Sequence, residues 1–100
     1  MAKSIIQSDN SQCYICGRNG CGDRLEEHHI FFGTANKQIA DKYGLTVHLC
    51  GARCHRLGKE SVHQNARVCR MLQAKAQEIA MEYYDWSVED FISVIGKNYL

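Results

Sequence analysis

Two cysteine pairs constrain this chain more than any other feature. Cys13-x2-Cys16 stands near its start and Cys50-x3-Cys54 at its middle, with Cys50 34 positions after Cys16. Spacers of two to four residues let both sulfurs of a pair reach one ion, as in tetrahedral structural zinc sites. Four thiolates from Cys13, Cys16, Cys50 and Cys54 would pull the two ends of residues 13–54 together and fold the intervening chain outward. In 100 residues the buried apolar surface is modest, so a metal cross-link is a natural second source of stability. The opening MAKSIIQSDNSQ has no apolar signal-peptide core, and no run reaches membrane-spanning length. The expectation is a cytoplasmic protein, where thiols stay reduced and cysteine clusters bind metal rather than form disulfides. Of the two other cysteines, Cys21 could replace one ligand but reads as a bystander, and Cys69 as a core residue of a helix.

The rest of the chain supplies an α+β order. Residues 1–12 are polar and read as a flexible segment, and residues 13–100 as one domain. CYICGRNGCG, 13–22, is dense in turn formers and predicts a tight knuckle. Residues 25–32 suit a short strand, 33–37 a loop and 38–43 one helical turn. LTVHLC, 45–50, alternates apolar and polar positions with the period of a strand. Val62, Ala66, Cys69, Leu72, Ala76, Ile79, Ala80 and Tyr83 form an apolar stripe that predicts a long helix over about 61–84. Ser87 with Asp90 predicts the start of a short last helix, and Gly96 its end.

Between the cysteine pairs lies EEHHI, residues 26–30. Neighbours on a strand point to opposite faces, so His28 and His29 are not expected to chelate one ion together. They can divide the labour, one binding metal and the other taking a proton from water near neutral pH. His55 directly follows Cys54, so zinc held by Cys54 would also aim His55. His48 reads as half exposed on its strand. His63 has three open readings: a further metal ligand, a phosphate contact or a surface residue at a helix end.

CYIC, EEHHI and LTVHLCGARCH with a long helix behind them resemble the HNH endonuclease superfamily, whose core is a treble-clef-like ββα-metal fold, stabilised by zinc in the branch that carries paired cysteines. The likeness covers about residues 13–65, and the fuller string looks like small phage or prophage members. The resemblance implies that His28 and His55 hold a catalytic divalent ion, that His29 is the general base, and that the four paired cysteines hold structural zinc. A second register, with Glu27 as ligand and His28 as base, fits less well, because the family places an apolar residue after the base and Ile30 follows His29. The family's middle asparagine, which braces the base, is missing from KYGLTVHLC; Asn36 is the nearest.

What the resemblance implies is metal-dependent hydrolysis of DNA phosphodiesters, with Mg²⁺, Mn²⁺ or Ni²⁺ at the histidines and 5′-phosphate and 3′-hydroxyl products. The net charge of +1 gives no hint of a partner, but its distribution does. Arg53, Arg56, Lys59, Arg67, Arg70 and Lys75 face one acid, Glu60, in residues 53–75, whereas residues 78–90 carry five acids and no base. The first five of these cations are the candidates for phosphate contacts, and such contacts would make binding salt-dependent and largely sequence-independent. A charge run of this kind is also an ordinary solvated helix face. Two other functions use the same features. One is a non-catalytic zinc module that binds nucleic acid or protein. The other is a recombination or packaging accessory that needs a phage or host partner; for a phage-encoded chain the compartment would be the bacterial cytoplasm.

Overall fold

The computed structural model describes residues 3–31, 34–59 and 61–100. In chain order its elements are β1 (Leu25–His29), α1 (Thr34–Tyr43), β2 (Thr46–Cys50), a π-helical turn (Gly51–Arg56), α2 (Ala66–Tyr84) and α3 (Val88–Ile95). The expected α+β order is present. β1 and β2 form a two-stranded antiparallel sheet with Leu25 opposite Cys50, His28 opposite Val47 and His29 opposite Thr46. Facing residues share a side of the sheet. Glu26 and His28 therefore lie on one side, and Leu25, Glu27 and His29 on the other.

β1 ends earlier than the apolar run suggests. Ile30 and Phe31 are both fully buried. β1 stops at His29, so these two residues enter the core just beyond the strand. There the Ile30 N–H bonds the Leu45 carbonyl. α1 then starts at Thr34, ahead of the expected turn at 38–43. Phe32 and Gly33 lie outside the described residues.

β2 departs from the expected half-exposed pattern. His48 is half-buried as expected, but Thr46 and Cys50 are buried as well as Val47 and Leu49. Cys50 lies among the other thiols, and Thr46 is covered by the segment read as flexible. From Lys3 onward it lies along β2: Ile5 N–H bonds the Gly44 carbonyl (2.9 Å), His48 N–H bonds Gln7 Oε1 (2.7 Å) and Ser4 Oγ donates to the Thr46 carbonyl. Ile5 and Ile6 pack against the core. Gly44 makes this approach feasible, because it has φ +73° and any Cβ there would run into the Lys3 carbonyl.

α2 begins at Ala66, later than the stripe predicts. Asn65 is its cap, accepting from the N–H groups of Arg67 (3.0 Å) and Val68 (3.2 Å). Leu72, Ala76 and Ala80 are buried as expected, whereas Ala66 and Tyr83 are exposed. Two glutamines share the buried face instead. Gln73 donates to the Ile30 carbonyl (3.3 Å), and Gln77 donates to Asn98 Oδ1 (2.9 Å) and accepts from Tyr99 N–H (2.7 Å). Buried polar groups satisfied in this way cost little and fix geometry. Gln77 thus draws the C-terminal tail over α2, where Tyr99 meets Phe31 (ring centroids 4.9 Å) and Phe31 meets Phe91 (5.5 Å). α3 follows its sequence signals: Ser87 and Asp90 cap one another reciprocally, Phe91 and Ile95 are buried, and Gly96 ends the helix at φ +102°. Among the described residues no helix is long and apolar enough to cross a membrane.

Candidate metal centre

The knuckle is shaped by its own backbone. Cys13 N–H bonds the Arg18 carbonyl (2.7 Å), Gly17 N–H bonds the Cys13 carbonyl (2.9 Å), and Gly17 takes φ +79°. Tyr14 N–H bonds the His48 carbonyl (2.8 Å), which fastens the knuckle to β2. The sulfurs of Cys13, Cys16, Cys50 and Cys54 then lie within 4.8 Å of one another, with Cys16 Sγ 3.4 Å from Cys50 Sγ. This cluster has the donors and the spacing to hold a metal ion such as zinc. Its electrostatics favour one. Burial, with Cys16 and Cys13 beside it, pushes the Cys50 thiol up to about 12, and burial beside Cys13 also raises Cys54. At Cys16 burial is outweighed by hydrogen bonds from the Arg18 backbone and the neighbouring cysteines, which bring it down to about 6. Four bare thiols so close therefore ionise only in part, and a divalent cation removes the conflict by deprotonating them all. Cys21 is exposed and outside the cluster, and Cys69 is half-buried on α2.

The π-helical turn links this cluster to a second one. Asp23 accepts from the N–H groups of Ala52 (2.8 Å) and Arg53 (2.9 Å), and these bonds hold its own carboxyl below the usual range. Within the turn, Cys54 joins the thiol cluster while His55 turns to His28. The backbone then doubles back: Val62 N–H bonds the Cys54 carbonyl (2.9 Å) and His63 N–H bonds the His55 carbonyl (3.1 Å). His28, His55 and His63 converge, with ring centroids 5.0 Å apart for His28–His55, 5.7 Å for His28–His63 and 4.7 Å for His55–His63. One nitrogen of each lies within 4.8 Å of the others. Three nitrogens bound to one ion at about 2.1 Å sit about 3.4 Å apart in a tetrahedral arrangement, so small side-chain rotations suffice.

The donor set suits a metal. Burial first, then the charges of His55, His63 and His29, push His28 down to about 3, so it is a neutral imidazole at any ordinary pH. His28 is only 2% exposed, whereas His63 is open to solvent, so the cluster has one closed and one accessible side. Burial and His55 lower the pKa of His63 as well. Glu26 Oε1 lies 2.9 Å from His55 Nδ1 and 3.1 Å from Arg56 Nε. A carboxylate on Nδ1 makes that nitrogen the donor and leaves Nε2 available to a metal, the arrangement usual for histidines that ligate one. Glu26→Gln is expected to weaken divalent-ion binding by about 10–100-fold while leaving the fold intact, as calorimetric titration with Mn²⁺ checks.

His29 is absent from this cluster. It lies with Glu27 and Asp41, the three offering ligand atoms within 4.8 Å. His29 Nε2 is 2.8 Å from Asp41 Oδ1 and 3.6 Å from Glu27 Oε1. The structure thus gives the two adjacent histidines separate surroundings, with His28 the one that meets His55. Of the three readings of His63, the structure places it beside His28 and His55. The sequence reading missed Glu26 and Asp41. Glu26 was detectable, since a period of two puts it on the side of His28; Asp41 is brought to His29 only by the docking of α1.

Of the candidate phosphate contacts, Arg53, Arg56, Lys59, Arg67 and Arg70 are all exposed. Arg56 is engaged with Glu26 and the Gly51 carbonyl. Arg70 lines a cleft of about 540 Å³ that opens beside His63, together with Lys97 and Tyr99. Neither family models, characterised proteins nor solved structures match this chain.

Proposed function

We propose that this protein is a metal-dependent DNA endonuclease of the HNH type, with structural zinc on Cys13, Cys16, Cys50 and Cys54 and a ββα-metal core formed by β1, β2 and the segment that follows. The observation that carries this reading is the meeting of His28, His55 and His63, from three separate segments, beside a fourth histidine held apart by carboxylates. Three protein ligands leave coordination positions open, as a catalytic rather than a structural site requires. When bound there, a divalent ion supplies Lewis-acid stabilisation of the charge that builds on a phosphodiester. Imidazole donors accept Mg²⁺ poorly relative to Mn²⁺ or Ni²⁺, which makes the latter two the better first choices.

The chain's own residues do the rest. His29 takes a proton from a water molecule, whose oxygen attacks phosphorus. The bond from phosphorus to the 3′ oxygen breaks, leaving a 5′-phosphate and, after protonation from solvent, a 3′-hydroxyl. Arg70 and Lys97 line the cleft beside His63, which supports a role for both as phosphate contacts. Lys97 thereby joins Arg53, Lys59, Arg67 and Arg70 as a contact, while Arg56 is largely committed to Glu26.

The test is incubation of the zinc-loaded protein with supercoiled plasmid and Mn²⁺, Ni²⁺ or Mg²⁺, with and without EDTA. Metal-dependent conversion to nicked or linear plasmid, ending in 5′-phosphates, supports the proposal. Plasmid binding without cleavage under every metal overturns it in favour of a non-catalytic binding module. Cleavage only after addition of a cell extract points to an accessory protein.

A further inference from the structure

We propose that Asp41 is the positioning residue for His29: it fixes the imidazole with the proton on Nε2 and so presents Nδ1 as the base. This inference rests on the endonuclease reading above. It fills the place of the asparagine that the chain lacks, with a residue of different chemistry on a different element.

The distances decide the tautomer. An unprotonated Nε2 would set its lone pair against the lone pairs of Asp41 Oδ1 at 2.8 Å, with Glu27 Oε1 behind it at 3.6 Å. Two carboxylates round one nitrogen leave it a single favourable state, as an N–H donor. In the neutral ring the lone pair then belongs to Nδ1. The hydrolytic step uses that atom: Nδ1 gains the proton of the attacking water, the water oxygen bonds phosphorus, and the electron pair of the breaking bond leaves with the 3′ oxygen. Asp41 accepts from Nε2–H throughout and balances the imidazolium that forms, as the carboxylate behind a protease histidine does.

Both partners are held by their chain neighbours rather than by each other. Ile30 after His29 and Ala40 before Asp41 are fully buried. Leu45 connects them, its N–H bonding the Ala40 carbonyl (2.9 Å) and its carbonyl accepting from Ile30 N–H (3.2 Å). α1 is further anchored by Tyr43, whose carbonyl accepts from Tyr84 Oη (2.6 Å). The pair itself stays partly open, with 18% of the His29 and 31% of the Asp41 side chain exposed to solvent. A contact between groups that the fold holds rigidly is the arrangement expected of a supporting shell.

The experiment uses the full-length zinc-loaded protein with Asp41→Asn and Asp41→Ala. Long-range ¹H–¹⁵N spectra report the His29 ring, identified by its loss in His29→Gln. Plasmid nicking with Mn²⁺ gives kcat and KM. The wild type is expected to show an Nε2–H ring, and Asp41→Ala a mixture of tautomers. Both variants should lose kcat on the order of 100-fold or more, with KM within about twofold; the amide substitution in serine proteases costs about 10⁴-fold. An Nδ1–H ring in the wild type overturns the proposal, as does an unchanged ring and kcat in Asp41→Ala. A Mn²⁺ ion broadening His29 with an affinity lost in Asp41→Ala also overturns it, by making Glu27, His29 and Asp41 an ion site. A wild type that nicks under no metal overturns the endonuclease reading and the base role with it, whereas normal nicking with an unchanged Asp41→Ala ring overturns the Asp41 assignment alone.

Discussion

Cys54→Ser is expected to leave a chain without stable tertiary structure, and chelation of zinc from the wild type is expected to do the same reversibly. The magnitude follows from how the fold is connected. The thiol cluster is the meeting point of the knuckle, the end of β2 and the π-helical turn. Structural zinc contributes about 10–16 kcal/mol to a small fold near neutral pH, as much as the whole stability of an ordinary domain of about 5–15 kcal/mol. Without the ion, burial keeps Cys50 and Cys54 as neutral thiols packed against one another, and nothing remains to hold the knuckle in place. The loss should spread to the histidines, because His55 is set by its neighbour Cys54 and His63 is bonded to the His55 backbone. Amide-proton dispersion and far-ultraviolet circular dichroism read the loss, and metal analysis gives the stoichiometry. A protein that stays folded at full strength in excess chelator, with no bound zinc, would remove the structural-zinc assignment.

His29→Ala should behave in the opposite way. It is expected to abolish metal-dependent nicking by about 10²–10⁴-fold, the usual contribution of a general base, and to leave the spectrum and melting temperature nearly unchanged. The contrast has a structural basis. His29 lies outside both the thiol cluster and the three-histidine cluster, and its contacts with Asp41 and Glu27 are at the surface. Removing it orphans no buried charge, since Glu27 and Asp41 are 37% and 31% exposed. Mn²⁺ affinity, measured by calorimetry, should survive in His29→Ala and disappear in His55→Ala. If His29→Ala nicks plasmid at the wild-type rate while His55→Ala does not, the proton acceptor is another group and the two adjacent histidines do not divide the work.

Some of this was written in local spacing, and some was not. The cysteine pairs and the Ser87–Asp90 cap are short-range signals, and both appear where the spacing placed them. The apolar stripe of the long helix was correct where Leu72, Ala76 and Ala80 fall and misleading at its ends. A period of three to four continues past a cap without marking it, and Asn65 starts the helix by hydrogen bonds that periodicity does not register. The polar opening of the chain looked flexible because its residues have low hydropathy, yet Ser4, Gln7 and Ile5 bond β2 and Gly44 directly. Gln73 and Gln77 are absent from the apolar stripe because a buried amide becomes acceptable only when a partner from elsewhere in the chain satisfies it.

By itself, then, the sequence determined the chelating pairs, the order of strands and helices and the separation of His28 from His29 across a strand, since each of these depends on residues a few positions apart. The tertiary structure alone decided that His63 joins His28 and His55, that Glu26 bonds His55, and that Asp41 is the side chain on His29. Those choices are made by the docking of separate elements, where a contact across 12 or 29 positions depends on how the whole core closes rather than on any local pattern.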